Sequence, residues 1–186
     1  MIILHLTLIK PKEVTMKKYL LFLLVVAFIG ERQVYPQESS ATKTLTFKNY
    51  SISYPADLRL AKKTESGNFM LLVTPKEDIS MVIIDLSQYP YDVPLKDYAE
   101  SAIEQLKEEH FTTVLENKAT TINNLPCWRF ICAFDDGHGE LQAKSMYHIW
   151  IKNKWAYVLI LNSEPTNFDK QKLIVQKIAG TFKYTH

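Results

Sequence analysis

The run of apolar and polar positions divides the chain into a leader and a folded part. Met16-Lys17-Lys18 is followed by an apolar stretch from Tyr19 to Gly30, closed by Glu31 and Arg32. Basic residues ahead of about a dozen apolar ones form the pattern of a secretory signal. The stretch is shorter than the roughly 18 residues that a bilayer-spanning helix needs. Residues 1–30 are therefore read as a signal peptide, with an uncleaved membrane anchor as the alternative. Two starts fit the first fifteen residues: translation from Met16, or an extended basic region that begins at Met1. Cleavage after Gly30 and a later cut near Gln37 are both compatible with the residues present. Residues 31–43 are polar and read as a flexible lead-in.

Beyond the leader the pattern changes to short alternating runs. Thr44 to Phe47 and Ser51 to Tyr54 read as a hairpin turned at Lys48-Asn49-Tyr50, with Pro55 ending the second strand. Asn68 to Thr74 and Ser80 to Leu86 are two further strands, separated by a turn at Pro75-Lys76-Glu77-Asp78. From Pro94 to Glu109 the period lengthens. Leu95, Tyr98, Ala99, Ala102 and Leu106 form one apolar stripe, which predicts a helix started by Asp92 and Pro94. Lys96, Glu100, Glu104 and Lys107 take its solvated side.

A meander follows: strands over Thr113–Thr121, Cys127–Phe134, Leu141–Ile151 and Trp155–Asn162. Their turns fall at Asn123-Asn124-Leu125-Pro126, Asp135 to Glu140, and Lys152-Asn153-Lys154. The third strand is apolar on both faces, with Tyr147, Ile149 and Ile151 on one and Met146 and Trp150 on the other. That pattern predicts a sheet covered on both sides. Thr166 with Asp169 resembles a capping box. Ile174, Ile178 and Phe182, with Leu173 and Val175, define the apolar side of a second helix that stops at Gly180. Strands in runs with two helices argue for an α+β fold, an α/β/α sandwich around a mainly antiparallel sheet.

Charge narrows the partners. The formal charge of +2 includes Lys10, Lys12, Lys17 and Lys18 against Glu13 within the leader. Without those residues 18 basic and 19 acidic side chains remain. A chain near neutrality offers no concentrated basic surface, so no nucleic-acid partner is expected.

Cys127 and Cys132 lie five apart on one strand and so point to opposite faces. Their Cα atoms should be roughly 16 Å apart, beyond the ~7 Å limit for a disulfide. They are read as buried apolar side chains. Asp135-Asp136-Gly137-His138-Gly139-Glu140 concentrates metal-capable groups. Asp135, Asp136, His138 and Glu140 are therefore the candidate metal ligands, carboxylates for a hard cation and imidazole for zinc or copper. The spacing matches no EF-hand or zinc signature, and a polar hairpin tip is the simpler reading. His148 is a lone imidazole in a strand, and His110 ends the first helix, where a positive charge would complement the dipole. No serine-elbow, P-loop or dinucleotide-binding motif is present, and no cofactor is expected.

The order of features resembles the PsbP-like superfamily. Tyr50-Ser51-Ile52-Ser53-Tyr54-Pro55 opens the domain, and Leu95-Lys96-Asp97-Tyr98-Ala99 starts the helix. Ile122-Asn123-Asn124-Leu125-Pro126 precedes the meander, and Phe168 with Ile178-Ala179-Gly180-Thr181-Phe182 closes it. The resemblance spans residues 44–184 as one domain. It implies the α/β/α sandwich, and it implies mostly non-enzymatic accessory or binding roles.

The leading expectation is thus an exported, periplasmic or secreted, non-catalytic accessory domain with a protein partner of the cell envelope. It would contact a membrane only through an uncleaved leader. A small-ligand or metal-binding envelope protein is the second reading. An enzyme would require His148 or His138 beside another titratable group in a cleft.

Overall fold

A computed structural model describes residues 41–74 and 77–185. The expected signal peptide, most of the lead-in, and Pro75 and Lys76 of the expected turn lie outside the described residues. In chain order the elements are β1 (Thr42–Thr46), β2 (Tyr50–Pro55), β3 (Arg59–Lys63), β4 (Phe69–Thr74) and β5 (Glu77–Asp85). There follow α1 (Leu95–Glu109), β6 (Thr112–Ile122), β7 (Leu125–Asp135), β8 (Leu141–Lys152), β9 (Trp155–Ser163), α2 (Phe168–Ala179) and β10 (Lys183–Tyr184).

The strands form a seven-stranded sheet, ordered β3-β4-β5-β9-β8-β7-β6, and a three-stranded sheet, ordered β1-β2-β10. Every neighbouring pair is antiparallel. Two-residue turns close two of the hairpins. Asn123-Asn124 and Asn153-Lys154 all take positive φ, between 51° and 62°. Turns of this hand match the right-handed twist of the strands they join.

Alternation along the strands sorts the core into two halves. On one face Met146, Trp150, Leu159 and Leu161 pack with α2 residues Val175, Ile178 and Ala179 and with Leu45, Tyr50, Ile52 and Tyr54 from β1 and β2. On the other, Phe130, Tyr147, Ile149 and Ile160 pack under α1 residues Tyr98, Ala99, Ala102, Ile103 and Leu106. The layers are therefore helix, sheet and helix, with the small sheet beside α2. Trp150 is a centre of the α2-face core. Its ring stacks on Phe182 at 4.4 Å, and Phe182 lies 5.6 Å from Tyr50 and Tyr157. Cys127 and Cys132 are free, buried and on opposite faces, one in each half of the core.

Three expectations are corrected, and one strand is added. The lead-in is shorter than residues 31–43, because Thr42 and Lys43 already pair with Pro55 and Tyr54. Strand β3 had no pattern to announce it; all five residues are exposed, and pairing with β4 alone defines it. Leu173 is 61% exposed. At about 100° per residue it lies roughly 200° from Gln171 and from Val175, both buried. The Thr166–Asp169 capping box is absent. The N-cap is Asn167, already in helical conformation and without a side-chain cap hydrogen bond. Gly180 does end α2, but at φ −62°, so no left-handed residue is needed there.

Candidate functional site

Both aspartates of the acidic loop accept hydrogen bonds from its own backbone. Asp135 Oδ1 accepts from the Gly137 N–H at 2.8 Å. Asp136 Oδ1 accepts from His138 N–H at 2.8 Å and Glu140 N–H at 3.1 Å. Gly137 and Gly139 take φ of +83° and +89°. A Cβ on Gly137 would stand 2.5 Å from the exposed Phe111 ring, which would have to swing aside, and the positive φ itself favours glycine. Among the described residues no three His, Cys, Asp or Glu side chains converge as a metal site. The structure thus places Asp135, Asp136, His138 and Glu140 along one hairpin tip without gathering them around a common centre.

His148 lies in β8 on the α2 face, in a cross-strand row with Lys118, Arg129 and Leu159. Arg129 Nε donates to Glu116 Oε1 at 2.6 Å, and Lys118 Nζ stands 3.5 Å from the same carboxylate. Burial pushes the Glu116 carboxyl upward, but the Arg129 hydrogen bond and the two nearby cations outweigh it and hold the group below its ordinary value. His148 is fully buried, and neither ring nitrogen has a hydrogen-bond partner. Burial, reinforced by the Arg129 charge and opposed by Glu116, pushes its pKa down to about 3. A neutral imidazole stacked 6.0 Å from Trp150 is the result. Burial raises both thiols to about 12, so neither Cys127 nor Cys132 is a thiolate at neutral pH.

Two polar clusters were not anticipated. They begin at Glu77 and Asp78, residues that look like turn chemistry beside Pro75. As neighbours in β5 they face opposite ways. Glu77 is buried toward α2, accepting from Ser163 Oγ at 2.9 Å and from Gln171 Nε2 at 3.3 Å. Asp78, half-buried on the α1 face, accepts from Ser80 Oγ at 2.7 Å and Asn162 Nδ2 at 3.3 Å. Ser145 Oγ donates to Asn162 Oδ1 at 2.8 Å and extends the chain to β8. Burial raises the Asp78 carboxyl above its ordinary value, and its two hydrogen bonds partly offset that rise. The Glu77 contacts to Ser163 and Gln171 and the Asp78 contact to Asn162 each span more than 80 residues of sequence, so no local signal announces them.

Apolar side chains emerge at one end of the sheet. The Phe111 C=O accepts from Asp135 N–H at 3.1 Å, and Asp135 pairs with Leu141. Phe111 is 64% exposed, Leu141 39%, and Leu115 of β6 53%.

The architecture has counterparts among solved structures. The solution structure of cyanobacterial PsbP (CyanoP) from Synechocystis sp. PCC 6803 superposes with a TM-score of 0.56 over 84% of this chain and 98% of that one, at 12% identity. The fold is PsbP-like. The crystal structure of LpqN, involved in cell envelope biogenesis of Mycobacterium tuberculosis, matches with a TM-score of 0.50 at 14% identity. That match covers 78% of this chain and 86% of LpqN. No protein-family model and no curated protein matches the sequence. At these identities the PsbP-like likeness carries the arrangement of strands and helices, and no functional residue.

Proposed function

We propose that the protein is an exported, non-catalytic accessory domain of the cell envelope that works by binding a protein partner. The observation that carries this reading is the exposed apolar end of the sheet, where Phe111 and Leu141 flank Asp135 on either side. Large apolar side chains grouped at a surface favour association, because covering them removes apolar area from water. The groups with chemical potential support the same reading. His148 and both thiols are sealed in the core, and Asp135 and Asp136 hold backbone amides. The secretory pattern ahead of Glu31 supports export, as does the likeness to LpqN. Among the described residues no helix is long and apolar enough to cross a membrane.

The test is capture of the tagged protein from its native envelope, alongside a Phe111→Ser/Leu141→Ser variant. The expected result is a protein retained by the parent and lost from the variant, with an unchanged circular dichroism spectrum. Native mass spectrometry that instead finds a small molecule or ion retained by parent and variant alike would replace this reading with a ligand-binding one.

A further inference from the structure

The two edges of the seven-stranded sheet differ in whether they can pair with themselves. Strand β3 carries Arg59, Lys62 and Lys63 and no acidic residue, so two copies brought together would repel. Strand β6 is eleven residues long and, among the described residues, pairs only with β7. Its centre reads Glu116-Asn117-Lys118. We infer that β6 is a self-complementary edge, joining two copies of this chain as an antiparallel pair with Asn117 on the two-fold axis.

Geometry fixes the register. A two-fold axis normal to a sheet leaves each residue on its own face, and residues opposite one another in a ladder share a face. The axis must therefore pass through a residue and not between two. With the axis at Asn117, Glu116 of each copy lies opposite Lys118 of the other, and the ion pair forms twice. An axis one residue away, at Glu116 or at Lys118, sets like charges directly opposite, which is destabilising.

The flanks agree with this register. Leu115 sits in the bulge between Val114 and Glu116, so Val114 and Leu115 together oppose the exposed Ala119 of the second copy. The bulge also puts Thr113 on the face of Thr120. Thr113 pairs with Ala133 and Thr120 with Cys127, both odd-numbered positions of β7. Edge lysines ordinarily keep strands from pairing. Here Lys118 would meet a carboxylate that already attracts it within the chain at 3.5 Å.

Cysteine scanning of the full chain in exporting cells tests this. Across the proposed axis the two Asn117 Cα atoms would be about 4.5–5.5 Å apart, within disulfide reach. The two Ala119 positions would be roughly 13 Å apart, beyond it. The native thiols are buried and do not compete. Under mild oxidation Asn117→Cys should give a disulfide-linked dimer and Ala119→Cys none. Adding Lys118→Glu to Asn117→Cys should lower the dimer yield at least tenfold. Equal linkage at 117 and 119, or a yield unmoved by Lys118→Glu, overturns the register. Because Asn117 also accepts the Trp128 Nε1–H bond at 2.6 Å, a second measurement uses unaltered protein. Mixed 14N- and 15N-labelled chains treated with a carbodiimide should yield a mixed-isotope Lys118–Glu116 cross-link. Cross-links confined to one isotope overturn the proposal.

Discussion

The two faces of the seven-stranded sheet are covered to different depths, and their polar groups differ accordingly. Helix α2 and the β1-β2-β10 sheet lie over one face, where His148 and Glu77 are buried. On the other face α1 spans β6, β7 and β8, while Met70 and Leu72 of β4 and Val82 and Ile84 of β5 remain half-buried. Asp78 is half-buried there as well. Under the full cover of α2 and the small sheet a polar group keeps its place by being neutral, as His148 is, or by being hydrogen-bonded, as Glu77 is. Under partial cover an ionisable group can lean on water, and the cost of an imperfect arrangement falls.

Substitutions can break that comparison, beginning with the largest effect. Trp150→Ala should cost about 3–5 kcal/mol in urea unfolding, because the α2-face core cannot close over the hole. Val82→Ala on the half-covered face should cost only about 1 kcal/mol. Similar losses at the two sites would erase the distinction between the faces.

Acid should act through His148. Its folded pKa of about 3 lies below the ordinary histidine value of 6.5. The unfolded chain therefore takes up the proton first as pH falls. The stability associated with the neutral ring is present above pH 6.5 and is lost between about 6.5 and 3, at roughly 1.4 kcal/mol per pH unit. His148→Leu should flatten that slope in urea titrations at pH 7, 6 and 5, and an unchanged slope would assign the acid sensitivity elsewhere.

Glu77→Ala should cost about 1–3 kcal/mol by leaving the buried Gln171 amide without the acceptor it has in Glu77. Asp78→Asn should stay within about 1 kcal/mol, since an amide oxygen can still accept. Leu173→Ser should change stability by less than about 0.5 kcal/mol, as expected of an exposed position. A larger loss would mean that something covers that side of α2.

The parts of the fold legible in the sequence are those set by local periodicity. The α1 stripe, the two-faced β8 pattern and the opposed cysteines follow from spacings of 3.6 and 2 residues, and the asparagine turns from their residue types. What escaped depends on distant partners. Arg59 to Lys63 is a strand only because β4 lies beside it, and Glu77 and Asp78 become structural acids only when Gln171 and Asn162 arrive. Leu173 misleads because its neighbours Leu173-Ile174-Val175 are all apolar, so the sequence alone does not say which one the helix turns outward. In the acidic loop the residue types fit a cation, but turn geometry gives Asp135 and Asp136 to backbone amides. Nothing in Phe111 or Leu141 alone says that both finish exposed at one end of the sheet, on either side of Asp135.

The central claim is that His148, with both thiols, is sealed in the core. Following the His148 ring resonances by NMR from pH 8 to pH 4.5 tests it most directly. The ring should remain neutral, with no titration across that range. A titration between pH 6 and 7, with the ring exchanging protons with solvent, would contradict the account and return His148 to the candidates for catalysis.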